Sequence, residues 1–370
     1  MTQAPRRRWP WLVAAALLFA AGAWLMAGSE ETKTDKVKKV TLPRHMTQEE
    51  RARNVTRQTM PIVAPASPEA QPQIRDPVLA GMPTEVKNGA VVIEANAIRN
   101  SDLGNLMVEC VFTGQGDVLA KMKDAGFDPL ENLDRVAVAD DALMLTGDFT
   151  KTDFAALMKT DNKRQFGANS ELFTRTTNDG GVGEQLGLWK GQVLVLGDSE
   201  KEVTDVLDRL DGKGDPNAKR VLTEADAYGE MYGVLKPGPL AQALAAENPA
   251  LAKLLEDAAS SIKIHADVTH DVGVVADIEG SDPTRTQDLR KALGTALTLA
   301  KLQAEAKGDK NAAEVLGFAR VAQAKGDSAN FHLEAGLPYE FLEKHLKKCV
   351  EDKKQRAADR EARPRPDAGP

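Results

Sequence analysis

Between Arg8 and Ser29 the chain runs for 20 residues, Trp9 to Gly28, without a charge, and this run constrains everything that follows it. At about 1.5 Å of rise per residue, a helix of that length spans roughly 30 Å, the hydrocarbon thickness of a bilayer. Arg6, Arg7 and Arg8 precede the run, and Glu30 and Glu31 follow it. The positive-inside rule therefore predicts a cytoplasmic stub at 1–8, a single transmembrane segment at 9–28 and an exported remainder. Ala21-Gly22-Ala23 has the small-x-small form of a signal-peptidase site. A cleaved secretory signal thus stands beside an uncleaved anchor, but Trp24, Leu25 and Met26 continue the apolar run past that site and weigh toward the anchor.

Composition changes after the run. From Ser29 to Pro83 the chain is poor in Leu, Ile and Phe, and Pro61, Pro65, Pro68, Pro72, Pro77 and Pro83 recur among Ala, Gln, Glu and Thr. Such a stretch buries too little apolar surface to fold, so residues 29–83 are expected to form a disordered tether, and 351–370 a disordered tail. Up to Ala80 there are 12 Lys+Arg against 7 Asp+Glu, and after Val350 there are 6 against 5. Subtraction from the totals of 48 and 55 leaves 30 against 43 in residues 81–350, a net charge of about −13 for the body. A surface of that sign repels phosphate backbones, and no nucleic-acid partner is expected.

Within the body, periodicity predicts two units of the same order. In the second, Glu230–Leu235 reads as a strand. A helix restarted at Asn248-Pro249 follows, and then a hairpin from Ile262–Val268 and Val272–Ile278 turned at His270-Asp271. Asp282-Pro283 starts a long amphipathic helix, and a helix at 311–324, a strand at 330–335 and a helix at 339–349 complete the unit. In the first, Leu106–Phe112 is expected as a strand and 117–125 as a helix. A hairpin of 135–139 and 143–149, a helix at 152–159, a strand at 192–197 and a helix at 200–210 follow. The expected class is α+β: two tandem split β-α-β modules, 84–215 and 225–350, each an antiparallel sheet with helices on one face.

Chemistry-bearing residues are sparse. His265, Asp267, His270 and Asp271 are the densest set of metal-ligand types, but alternation places His265 on the polar side of its strand and His270 in a turn, so a solvated face is expected and no metal. His45 falls in the tether, and His332 and His345 stand alone. Asn178 to Gly183 is glycine-rich without a helix start behind it, which predicts a hairpin loop leading into a strand toward Trp189. No Gly-x-Ser-x-Gly, His-Glu-x-x-His or Gly-Lys-Ser/Thr phosphate loop is present. No catalytic residue and no cofactor are therefore assigned.

Cys110 and Cys349 are the only cysteines. An exported compartment oxidises thiols, which makes a bridge between them one alternative. The other is a buried Cys110 packed as a small apolar residue and an exposed Cys349 thiol beside Lys347 and Lys348. Sequence does not fix whether the two Cα atoms lie within about 7 Å. Taken together, these features predict a non-catalytic, single-pass inner-membrane protein whose periplasmic body binds an envelope partner. The competing expectation is a periplasmic carrier or sensor for an apolar or small ligand.

Overall fold

The computed structural model describes residues 42–43 and 76–362, excepting 114–115, 141, 159, 161, 177–181, 214–217, 247, 309, 318 and 324–329. The expected anchor at 9–28 and most of the expected tether lie outside the described residues. Among the described residues, no helix is long and apolar enough to cross a membrane.

The chain is α+β, with one antiparallel sheet and helices packed on it. The first half supplies α1 (Pro77–Gly81), β1 (Gly89–Ile93), α2 (Ala95–Arg99), α3 (Asp102–Phe112), α4 (Gly116–Asp124), α5 (Pro129–Asn132), β2 (Leu133–Ala139) and β3 (Ala142–Gly147). It continues with α6 (Phe154–Met158), β4 (Lys163–Phe166), β5 (Ser170–Thr176), β6 (Val182–Trp189), β7 (Val193–Gly197) and α7 (Glu200–Leu210). The second half supplies β8 (Met231–Leu235), α8 (Pro237–Ala245), α9 (Pro249–Ala258), β9 (Ala259–Asp267), β10 (Val272–Gly280) and α10 (Pro283–Ala306). Last come α11 (Lys310–Gly317), β11 (Arg320–Gln323), β12 (Asn330–Leu337) and α12 (Tyr339–Ala362).

The 12 strands among the described residues lie in the order β11-β12-β10-β9-β8-β1-β2-β3-β7-β6-β5-β4. The halves meet at β1 and β8, in register from Gly89↔Leu235 to Ile93↔Met231. Gly233 sits at this joint because the strands approach closely there: a Cβ would lie 2.5 Å from the Ala90 carbonyl oxygen. Both outer strands are 4 residues long and carry Lys163 and Arg164 or Arg320, the short charged edges that discourage further pairing.

Local signals set the helix starts. Asp76, Asp128, Asn248 and Asp282 each cap a helix whose first turn holds a proline, and Ser199 with Glu202 forms a capping box at α7. On one face, α1 and α7 press Val78, Met82, Val203, Val206 and Leu207 onto Ala90, Val92, Ala137, Met144, Val195 and Trp189. On the other face of the second half, α8, α9 and α10 cover Ile262, Ile278 and Phe331. The same face of the first half gathers Phe149, Phe154, Phe173, Leu186 and Leu194. Each fully buried Leu, Val or Phe side chain contributes roughly 1.5–3 kcal/mol.

Four expectations are corrected. Residues 76–83, read as the end of the tether, form α1 and its exit, with Val78 and Met82 fully buried under α7. Leu106–Phe112 is the second part of helix α3; Ser101 caps it by accepting from Gly104 N at 2.9 Å, and β1 is the opening strand instead. The helix expected at 311–324 ends at Gly317, and Arg320–Gln323 adds edge strand β11. The tail expected to be disordered from 351 is helical to Ala362.

Candidate functional site

Among the described residues, no helix packs on one face of the second half, and the loop before β8 covers only part of it. The helices that pack on β9–β12 belong to the core on the opposite side. Antiparallel register puts Lys263, Asp277 and His332 in one row across β9, β10 and β12, and Tyr232, His265, Val275, Glu334 and Arg320 in the next. The loop before β8 adds Asp226 and Tyr228 above them.

The side chains form a linked array. Lys263 Nζ lies 3.4 Å from Asp226 Oδ1 and 3.2 Å from Glu279 Oε1, and Ser261 Oγ donates to Glu279 Oε2 at 2.6 Å. Burial acts to raise the Asp226 carboxyl, but hydrogen bonds from Thr223 N and Oγ1 and the charge of Lys263 hold it below its ordinary value. Asp277 sits between two histidines: Oδ1 pairs with His332 Nδ1, and Oδ2 lies 3.8 Å from His265 Nδ1.

His265 departs from expectation. Its side chain is 2% exposed, because the Tyr228 ring stacks on it at 3.6 Å and 9°. Alternation placed it correctly on the polar face, but the loop that covers it comes from 37 residues upstream, which strand periodicity cannot reveal. Nε2 lies 3.1 Å from the Asp226 carbonyl oxygen and therefore carries the proton, while Nδ1 is buried without a hydrogen-bond partner. Burial pushes its pKa below the usual histidine value.

The other sequence candidates do not join it. His270 is exposed in the turn, Asp267 accepts from Thr269 N and Oγ1, and Asp271 accepts from Tyr339 N at 2.9 Å. His345 Nδ1 is bonded within its helix to the Phe341 carbonyl. Among the described residues, no group of three or more His, Cys, Asp and Glu can hold a metal ion. Of the glycine-rich run, Val182 and Gly183 open β6 and 178–181 lie outside the described residues. Trp189 is buried, its Nε1 donating to Asp211 Oδ1 at 2.8 Å.

Two polar features escaped the sequence. Glu230 accepts from Val268 N at 2.9 Å; burial and the neighbouring Asp267 carboxyl push it up to about 7. Arg135, 5% exposed, donates from Nε to Glu94 Oε2 at 2.8 Å and from one terminal nitrogen to both oxygens of Asp76 at 2.8 Å. Tyr232 Oη donates to Glu94 Oε1 at 3.2 Å. An arginine facing inward in β2 breaks the apolar pattern there, and that was the available signal.

The structure also joins Cys110 on α3 to Cys349 on α12, with Cα atoms 5.7 Å apart across 239 residues of sequence. Two clefts lie elsewhere. One of about 210 Å³ is lined by Lys87, Asp140, Glu202 and Arg209, and one of about 140 Å³ by Thr286, Arg290 and Asn330. Both are smaller than the roughly 300–1,000 Å³ of most small-molecule sites.

Fold and site together define a class: an acidic α+β protein built on one long antiparallel sheet, with half of one face left as an ion-paired platform. Comparison with protein-family models, with curated proteins and with solved structures gives no match for this chain.

Proposed function

We propose that the protein is a non-catalytic interaction protein of the cell envelope, held at the inner membrane by residues 9–28. Its periplasmic body docks a protein partner on the polar face of β9, β10 and β12. The observation that carries this reading is the platform itself: a row of paired charges on a broad sheet face. On that face the carboxylates of Asp226, Asp277, Glu279 and Glu334 outnumber the cations of Lys263 and Arg320, which suits a basic partner surface.

The body is two modules of common descent in this reading. β1-β2-β3-β7 and β8-β9-β10-β12 each run outward from the joint, and each half passes from strand to helices, hairpin, helix, last strand and closing helix, with β4, β5 and β6 added before the last strand of the first half and β11 before that of the second. In the second module the closing helix α12 lies beside α3 instead of over its own sheet, and among the described residues no helix before β8 takes the place of α1.

Photo-crosslinking tests the reading. A photoreactive residue at Glu279 or His332 of the full chain in its membrane should give a discrete protein adduct that the same residue at Lys201 on α7 does not. The adduct should weaken when Asp226 and Glu334 are changed to Lys. Equal labelling from Lys201, or none from the face, would refute it.

A further inference from the structure

We propose that the Cys110–Cys349 bridge is a thiol–disulfide exchange site: a dithiol opens it, and the C-terminal helix then releases from the first half while the sheet stays folded. α12 begins beside the β9–β10 turn and runs alongside α3 in the same direction. Asp102 acts on Tyr339 at one end, and Lys353 reaches the Cys110 carbonyl at the other.

Apolar packing holds this helix weakly. No described side chain of α12 belongs to any of the three cores, and Val350 is its one buried apolar side chain among the described residues. Met107 and Val111 of α3 remain 36% and 45% exposed beside it. Beside the bridge, Lys353 Nζ holds the carbonyls of Cys110 at 2.6 Å and Val111 at 3.2 Å, and the exposed Lys354 pairs with Glu109 at 3.0 Å. The first is a cation at a helix C-terminus, and the second is a surface pair; each is worth little by itself. Elements with few buried apolar contacts open locally well before the global fold does.

The surroundings also make the bond exchangeable. Both cysteines are half-buried, so a small thiol has access. Lys353 lies one turn beyond Cys349 on the same side of its helix and favours a thiolate there, whereas Cys110 lies in the last turn of α3, where the helix dipole opposes an anion. Cys349 is therefore the leaving sulfur. One thiolate of the dithiol attacks Cys110 Sγ, the protein S–S bond breaks, and a mixed disulfide forms as Cys349 leaves as thiolate. The second thiolate of the reagent then attacks the reagent sulfur of that mixed bond and expels Cys110. The protein bond gains two electrons, the dithiol becomes a cyclic disulfide, and its two protons end on Cys110 and Cys349.

Hydrogen exchange of the full chain in detergent, with and without dithiothreitol, decides this. Reduction should speed exchange of amides in 346–362 at least tenfold and leave β9 and β10 unchanged, and Cys110→Ser with Cys349→Ser should reproduce the reduced pattern. Glutathione trapping should place the mixed disulfide on Cys110. Unchanged exchange in α12 after complete reduction, equal acceleration in β9 and β10, or a bridge that resists native reduction would each overturn the proposal; an adduct on Cys349 would overturn the direction of attack. Should the double variant not fold, reduction of the folded wild-type chain gives the answer.

Discussion

Replacing Arg135 with Met tests whether the joint between the emerging chain and the sheet rests on a buried ion cluster. The guanidinium holds Asp76 through two contacts and Glu94 through one, all at 2.8 Å, and the three side chains are between 3% and 7% exposed. Methionine fills much of the volume but leaves two carboxylates buried without their cation. Removing one partner of a buried charge cluster costs about 3–5 kcal/mol, a large share of a typical 5–15 kcal/mol stability. Urea unfolding at pH 7 should show that loss as a lower midpoint with an unchanged slope. The cost should shrink toward pH 4, because protonation relieves the stranded carboxylates, and Asp76→Asn with Glu94→Gln added to Arg135→Met should recover part of it. A loss below about 1 kcal/mol, independent of pH, would refute the reasoning.

Gly233→Ala places a Cβ 2.5 Å from the Ala90 carbonyl oxygen and should destabilise by about 2 kcal/mol or more, with faster amide exchange in β1 and β8 as the readout. His265→Ala should cost about 1–3 kcal/mol through lost stacking and an unpaired Asp226 carbonyl, whereas His270→Ala should stay within about 0.5 kcal/mol in thermal unfolding. As pH falls through about 6.5 the unfolded chain binds a proton that buried His265 resists, so stability drops on the acid side and His265→Gln should flatten that drop. Glu230 has the opposite sign: its folded value of about 7 lies above the ordinary 4.5, so it costs stability as pH rises between them. With allowance for solvent screening, Glu230→Gln should return about 1–2 kcal/mol at pH 8 and nothing at pH 4. A reporter fused after Pro370 should be active only when exported, and activity of a cytoplasm-only reporter there would refute the orientation argued from Arg6–Arg8.

What the sequence determined were features written in nearest neighbours and short periods. The Asn248-Pro249 and Asp282-Pro283 starts, the capping box at Ser199 and the alternating hairpin of β9 and β10 all depend on residues within a few positions of one another. Periodicity failed where helix and strand patterns coincide, as in Leu106–Phe112, whose dense apolar residues suit either one. It failed again at 351–362, where the many charges belong to a helix that is mostly solvated. Only the tertiary structure decided how the two halves share one sheet, because edge-to-edge pairing at β1 and β8 depends on backbone groups present in every strand. It also decided the site. Tyr228 covers His265, Asp277 lies between His265 and His332, and Arg135 meets Asp76 from 59 residues away, because register and loop closure bring distant side chains to one face. No local pattern encodes those meetings, since each is set by the accumulated geometry of the sheet rather than by the residues on either side.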